Sequence, residues 1–386
     1  MLQEILEKNL RYIQAQKSYR LYDTELTSAV HILNTKNIMT LSWLRHTGKT
    51  KLVYEILKKT KSFEKSFYYN SECDPLRVIK DRQDLIVLLD LYVRLYGVPK
   101  IIILQNTNNI EWIKDFISQL YKTKKYKLIV VGNNIKIEGV EDIEIFPLGI
   151  DFKKQEYNTF GWIAEVRIVP DTQYKIFLLE ALKHDIISRD ILEAYTIKNI
   201  SLFYQVLSYI AQISQYVSMR ELHRQLTEHS IDISLLTLID YTNASLNTKV
   251  LHRCYLYDVK NKNTISSKVQ YFFWDVGIRQ SFDTTVTGDE NLIFLELLRN
   301  GYEVHGGLNG RYQFAFYAQK DSKILALDID TTWDKTEIRK AARKLAKLWD
   351  SSQKYIIVQN KNALNMRKFE EEGVLIVELE EFVKQI

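Results

Sequence analysis

Residues 41–52 read LSWLRHTGKTKL, and this stretch decides the fold. Before it, NIMTLSWL (Asn37 to Leu44) is a short, apolar, β-prone run; after it, KLVYEILKKT has a helical pattern. RHTGKT therefore sits where a buried strand passes into a helix. A phosphate-binding loop at such a junction needs a turn whose backbone N–H groups converge on the β and γ phosphates. It also needs a Lys to neutralise them and a Ser/Thr hydroxyl to hold magnesium. Gly48, Lys49 and Thr50 supply the last three positions, with Arg45, His46 and Thr47 as the preceding loop residues. The competing reading is a helix N-terminus that happens to begin GKT. The first glycine of GxxxxGK[ST] falls at position 43, where the chain has Trp43. A bulky residue there is expected to alter the loop's path or obstruct the base or phosphate site.

Working outward, the region to about residue 155 alternates strand-like and helix-like segments. FEKSFYYN is followed by the amphipathic stretch Leu76 to Leu95 and then by PKIIIL (Pro99 to Leu104), which reads as a buried parallel strand. A helix over Glu111 to Tyr121, a strand over Tyr126 to Val131 and a short strand over Ile143 to Phe146 complete the pattern. Such alternation predicts right-handed βαβ units and an α/β fold on a parallel sheet. Hydrolysis also needs a carboxylate at the end of a neighbouring strand. PKIIIL ends instead in Gln105 and Asn106, a degenerate pair of amides that cannot act as a base at neutral pH. The third strand ends in Gly132, Asn133 and Asn134, with Asn133 a candidate sensor of the γ-phosphate; a plain Gly-Asn turn reads the same.

Composition sets the remaining bounds. A chain of 386 residues with 46% hydrophobic residues fits two or three domains. Cys73 and Cys254 form no CxxC or Cys/His cluster, so neither a disulfide framework nor a zinc site is indicated and a reducing cytoplasm is the expected setting. The amphipathic start MLQEILEKNLRYIQAQ lacks the apolar region of a secretion signal, and no long apolar run predicts a membrane span. A net charge of +5 permits nucleic-acid binding without arguing for it.

Beyond residue 155 helices dominate. Three helical patterns between Ile200 and Ser245 precede the strand pair VLHRCYLYDV and KVQYFFWDVG, the outline of a winged helix-turn-helix. From about Asn291 a helix, three strands, the helix KTEIRKAARKLAKLWD and a further strand form a small α/β unit.

With these segments in place, the chain resembles bacterial and archaeal AAA-type P-loop ATPases that carry a winged-helix segment and a C-terminal restriction-endonuclease-like domain of unknown function. LSWLRHTGKTKL stands where that family has GPRxxGKTxL. LQNTN followed by Trp112 stands where it has LDEIQ and a Trp. PLGIDF (Pro147 to Phe152), the turn Gly161 to Val166, SRDIL (Ser188 to Leu192), YFFWDVGIR (Tyr271 to Arg279) and ENLIFLELLRNGYEV (residues 290 to 304) match further blocks. The resemblance implies three domains, at 1–155, 156–285 and 286–386. It also implies ATP or ADP with magnesium, the metal held through Thr50. The family's strand acids are replaced at Gln313 and Ala315, while Glu296, Asp328 and Asp330 remain as carboxylates for a nuclease-type metal. The shortened segment before Pro147 lacks the Arg that would reach into a neighbour's site in a ring.

Losses at several chemically defined positions, with the hydrophobic pattern intact, predict a pseudoenzyme: a nucleotide-binding protein with weak or absent hydrolysis, nucleotide serving as a structural or switching ligand. The alternative is a non-enzymatic DNA- or protein-binding scaffold. Arg220, His223 and Arg224 share one helix for that role, although the helix after it offers few basic residues.

Overall fold

The computed structural model describes residues 1–386 except 17–22, 108–109, 134–136, 147–156, 284–287, 331–333, 349, 359–368 and 372. The PLGIDF motif at 147–152 and Asn134 lie outside the described residues. The chain divides into two units, one of residues 1–148, 163–165 and 185–195, the other of 149–162, 166–184 and 196–386.

In the first unit the elements run α1 (Leu2–Gln14), α2 (Asp23–Thr35), β1 (Ile38–Ser42), α3 (Lys49–Lys59), β2 (Ser66–Asn70), α4 (Arg82–Tyr96), β3 (Ile101–Gln105), α5 (Ile113–Thr123), β4 (Lys127–Gly132) and β5 (Asp142–Glu144). The five strands form one sheet in the order β2-β3-β4-β1-β5, and every pairing is parallel. Parallel strands covered on both faces have no solvent side, which is why IMTLS and IIILQ are buried at every position. Alternate residues serve opposite faces. Phe67, Ile102, Leu104, Leu128 and Val130 pack with Ile5 and Leu6 of α1, Leu85 and Leu88 of α4 and Phe116 and Ile117 of α5. Met39, Leu41, Ile103, Ile129 and Val131 pack with Ala29 and Leu33 of α2 and Leu52, Val53 and Ile56 of α3. The α/β expectation therefore holds, and the register aligns the strand ends: Ser42 lies beside Gly132, and Gln105 beside both Asn70 and Val131.

The remaining elements are α6 (Tyr157–Phe160), α7 (Ala164–Arg167), α8 (Thr172–Ile186), α9 (Ile200–Gln212), α10 (Met219–Glu228), α11 (Leu235–Asn247), β6 (Leu251–Asp258), β7 (Asn263–Phe273), α12 (Val276–Phe282), α13 (Asp289–Arg299), β8 (Glu303–Asn309), β9 (Tyr312–Lys320), β10 (Lys323–Asp330), α14 (Lys335–Ala346), β11 (Gln353–Val358), β12 (Phe369–Glu371), β13 (Val374–Glu378) and α15 (Leu379–Val383). A π-helical turn, Ile187–Leu192, follows α8. Side-chain oxygens of Asn199, Ser218 and Ser234 cap α9, α10 and α11, and Ser218 forms a capping box with Glu221.

The second unit holds one eight-stranded sheet, ordered β12-β13-β11-β10-β9-β8-β6-β7. The β6–β7 hairpin belongs to it through a parallel pairing of Leu256 with Gly306. Ile338, Ala342 and Leu345 of α14 pack on Phe314, Ala326, Ile356 and Ile376 of this sheet.

Two of the recognised blocks owe their form to buried polar side chains. Asp275 caps α12, its Oδ1 accepting from the Ile278 N–H at 3.1 Å, while its Oδ2 accepts from the Trp162 N–H at 2.7 Å. Gly161 is in the left-handed region at φ +66, and a Cβ there would stand 2.1 Å from Asp275 Oδ1. Asn291 exchanges two bonds with the Phe273 backbone, accepting at 2.8 Å and donating at 2.7 Å. Among the described residues no helix is long and apolar enough to cross a membrane, and both cysteines are buried free thiols.

Candidate functional site

The loop between β1 and α3 opens at the carboxyl edge of the parallel sheet, where open α/β sheets bind ligands. Gly48 takes φ +94 and sits at the N-cap of α3, so the first N–H groups of an eleven-residue helix face the loop without intrahelical partners. A cavity of about 320 Å³ lies there, lined by Arg45, His46, Gly48, Lys49, Thr50 and Lys51 from the loop and α3, by Gln105 and Asn106 from the end of β3, and by Tyr12, Gln16, Glu72, Glu165, Asp185 and Arg189.

Trp43 has φ +139, a glycine-like backbone, so the turn is kept although the glycine is not. Its indole is buried and packs against Phe146, ring centroids 4.3 Å apart and planes tilted by 39°, and it is absent from the cavity lining. The expected obstruction is thus relieved by turning the ring into the core. A backbone strain of about 1–3 kcal/mol is offset by burial of a large aromatic. Trp43→Gly, which restores the motif's glycine, is accordingly expected to lower stability by about 2–3 kcal/mol: truncation of a buried Trp costs about 3–5 kcal/mol, more than the strain returns. Urea unfolding of the two proteins measures the difference.

Lys49 is buried, and its Nζ donates to the carbonyls of Trp43, at 2.7 Å, and of Leu44. The ammonium is thereby folded back over its own loop. Thr47 is buried with its hydroxyl donating to the Leu44 carbonyl at 3.0 Å, so it shapes the loop and does not line the cavity. Thr50 Oγ1 accepts from Gln105 Nε2 at 2.8 Å, and Gln105 Oε1 in turn accepts from the Tyr68 hydroxyl at 2.8 Å. Asn106, at φ +55, donates from its side chain to Asn70 Oδ1 at 3.1 Å. Asn133 follows the last residue of β4, is half-buried and is not in the lining. Glu111 is exposed and away from the cavity, whereas Glu72 lines it.

Around the loop the charges are paired. Arg45 Nε donates to Asp190 Oδ1 at 2.9 Å, and its guanidinium also meets Glu72. Arg189 donates to Asp185 Oδ1 at 2.8 Å and contacts Glu72 Oε1 at 3.3 Å. His46 Nε2 lies 3.1 Å from Asp185 Oδ2. Burial works against the charge of Arg45, but the carboxylates of Asp190 and Glu72 outweigh it and hold its pKa above the ordinary value. Burial pushes the Asp190 carboxyl up despite Arg45 and Lys49, while the hydrogen bond to His46, aided by Arg189, holds Asp185 down against burial. Sequence reading missed Tyr12, Gln16 and Asp185, which share no motif with the loop; Lys51 and Glu165 fell inside the LSWLRHTGKTKL and Gly161 to Val166 blocks without a role, and the SRDIL block pointed toward Arg189 and Asp190.

The phosphate arms of a nucleotide fit this donor set: helix N–H groups, Lys49 and two arginines. A magnesium ion fits it poorly. The residue facing Thr50 is a carboxamide with its N–H turned to the hydroxyl, and the lining carboxylates Glu72 and Asp185 are engaged by Arg45, Arg189 and His46; Glu165, 3.9 Å from Lys51, stands as a single carboxylate with one buried oxygen that accepts no hydrogen bond from the described residues. In the second unit Asp328 is buried, accepts from the Tyr312 hydroxyl at 2.5 Å and is pushed up by burial, and Glu296 is buried 3.6 Å from Arg299. Among the described residues no three His, Cys, Asp or Glu side chains gather to hold a metal.

A five-stranded all-parallel sheet with Gly48-Lys49-Thr50 at its strand-to-helix junction has the form of a P-loop nucleotide-binding core. No protein-family model matches the chain. An uncharacterized protein of Haemophilus influenzae is 21% identical to it over 340 residues, 79% of this chain and 85% of that protein. Among solved structures it is similar to a Walker-type ATPase of Pyrococcus abyssi, at 11% identity and a TM-score of 0.44 over 68% of this chain and 95% of that one. It is also similar to the replication initiator DnaA bound to AMPPCP and single-stranded DNA, at 13% identity and a TM-score of 0.27 over 62% of this chain and 91% of that one.

Proposed function

We propose that this chain binds a nucleoside di- or triphosphate, ATP or ADP, in the loop of residues 43–50 and turns it over slowly or not at all. The observation that carries the reading is the pairing of an intact Gly48-Lys49-Thr50 helix start with Gln105, an amide, hydrogen-bonded to Thr50 where an acid would be needed. Binding uses the helix N–H groups, Lys49 and Arg45. Hydrolysis lacks its base, because neither Gln105 nor Asn106 takes up a proton at neutral pH, and Glu72 is held by two arginines. Nucleotide then acts as a structural or switching ligand in a cytoplasmic protein.

In this reading residues 1–155 are the AAA-like domain, α9–α11 with the β6–β7 hairpin a winged-helix segment within 156–285, and 286–386 a restriction-endonuclease-like domain that packs without nuclease chemistry. Two measurements test the function. A fluorescent ATP analogue should bind saturably, and phosphate release should stay at or barely above the no-protein background, slower than about one turnover per minute. Release much faster than this that disappears in a Lys49 variant would show an active ATPase. No binding at millimolar nucleotide would leave a scaffold that takes DNA or protein instead.

A further inference from the structure

We propose that the loop takes its nucleotide without magnesium, the Gln105 carboxamide holding the place of a metal-bearing carboxylate. The inference rests on the nucleotide-binding reading above and adds the ionic form of the ligand.

Magnesium in such sites needs hard oxygen donors in near-octahedral array, normally one or two carboxylates beside the phosphates and a loop hydroxyl. Here the hydroxyl is already engaged. Gln105 Nε2 donates to Thr50 Oγ1 at 2.8 Å. The amide is itself built in: Gln105 is 4% exposed and held by the Tyr68 hydroxyl, which lies in the core beneath the sheet end. A neutral chain of Tyr68, Gln105 and Thr50 thus fills the corner between β3 and α3. In either orientation a carboxamide brings no charge to set against a divalent ion.

The counter-charge for phosphate is present in side chains. Lys49, Lys51, Arg45 and Arg189 all line the cavity. A guanidinium carries five N–H donors, so Arg45 and Arg189 present further donors to phosphate oxygens while keeping Glu72. Metal-free nucleotide carries one more pair of negative charges for these cations than its magnesium complex does, which favours the free form here.

The test is calorimetric titration of ATP and of ADP into the full chain, once in excess EDTA and once in millimolar magnesium. Dissociation constants within about twofold of each other, or tighter in EDTA, support the proposal. Binding weakened by about tenfold or more in EDTA overturns it and leaves the nucleotide-binding reading standing. Absence of heat in both buffers overturns both. Gln105→Glu, checked for folding by circular dichroism, should gain a preference of about tenfold for the magnesium complex. A folded Gln105→Glu protein that stays indifferent to the metal would show that Gln105 is not what excludes it. If that variant does not fold, the wild-type comparison alone decides.

Discussion

Lys49→Met is expected to weaken nucleotide binding by on the order of 100-fold, from two charge-assisted phosphate bonds of about 1.5–3 kcal/mol each, less the carbonyl bonds given up on binding. Methionine keeps the unbranched stem that packs in the loop and removes only the ammonium, so the comparison isolates charge from packing. In this loop that ammonium bridges the carbonyls of Trp43 and Leu44. Its loss should therefore cost some stability as well, about 1–2 kcal/mol, because two buried acceptors lose a donor. The two effects separate by method. Titration with the fluorescent analogue reads the first, and thermal unfolding without nucleotide reads the second. A variant that binds as tightly as the wild type would remove Lys49 from the site and return GKT to the status of a chance helix start.

The parallel sheet was readable because strands buried on both faces are short, mainly apolar runs, as IIIL at 101–104 and LIVV at 128–131 are. The loop was readable because its residues are contiguous. What surrounds the loop was not: Arg45 meets Glu72 at a separation of 27 residues and Asp190 at 145, and no local periodicity encodes such pairs. Trp43 illustrates a subtler failure. Its size was legible, but the direction of its ring depends on Phe146, which comes from beyond β5. Likewise the β6–β7 hairpin reads locally as a wing, whereas its place at the end of an eight-stranded sheet rests on pairing with β8, some fifty residues away. The YFFWDVGIR block was matched by resemblance only; its reason, a buried carboxylate gripping backbone N–H groups, needs coordinates.

That carboxylate leads to the second large effect. Asp275→Ala is expected to destabilise the protein by about 3–5 kcal/mol, since it removes the cap of α12 and strands the buried Trp162 N–H. Gly161→Ala should cost a similar amount by the opposite route, driving a Cβ into the same carboxylate from a φ of +66. The wild-type residue also imposes a pH dependence. Burial lifts its pKa to about 6 against the pull of the Trp162, Ile278 and Gly277 N–H groups. The raised value means the fold prefers the protonated acid. The stability it confers is complete below the unfolded pKa of about 4, falls as pH rises, and is lost above about 6, a change of about 3 kcal/mol. Asp275→Asn stays neutral throughout, though its amide turns a donor toward one of the three N–H groups. It should be less stable than the wild type at pH 4 and approach or overtake it by pH 8. Chemical denaturation of both proteins across that interval reads the crossing directly. Parallel curves would mean that Asp275 stays ionised from pH 4 upward, its backbone donors compensating burial in full.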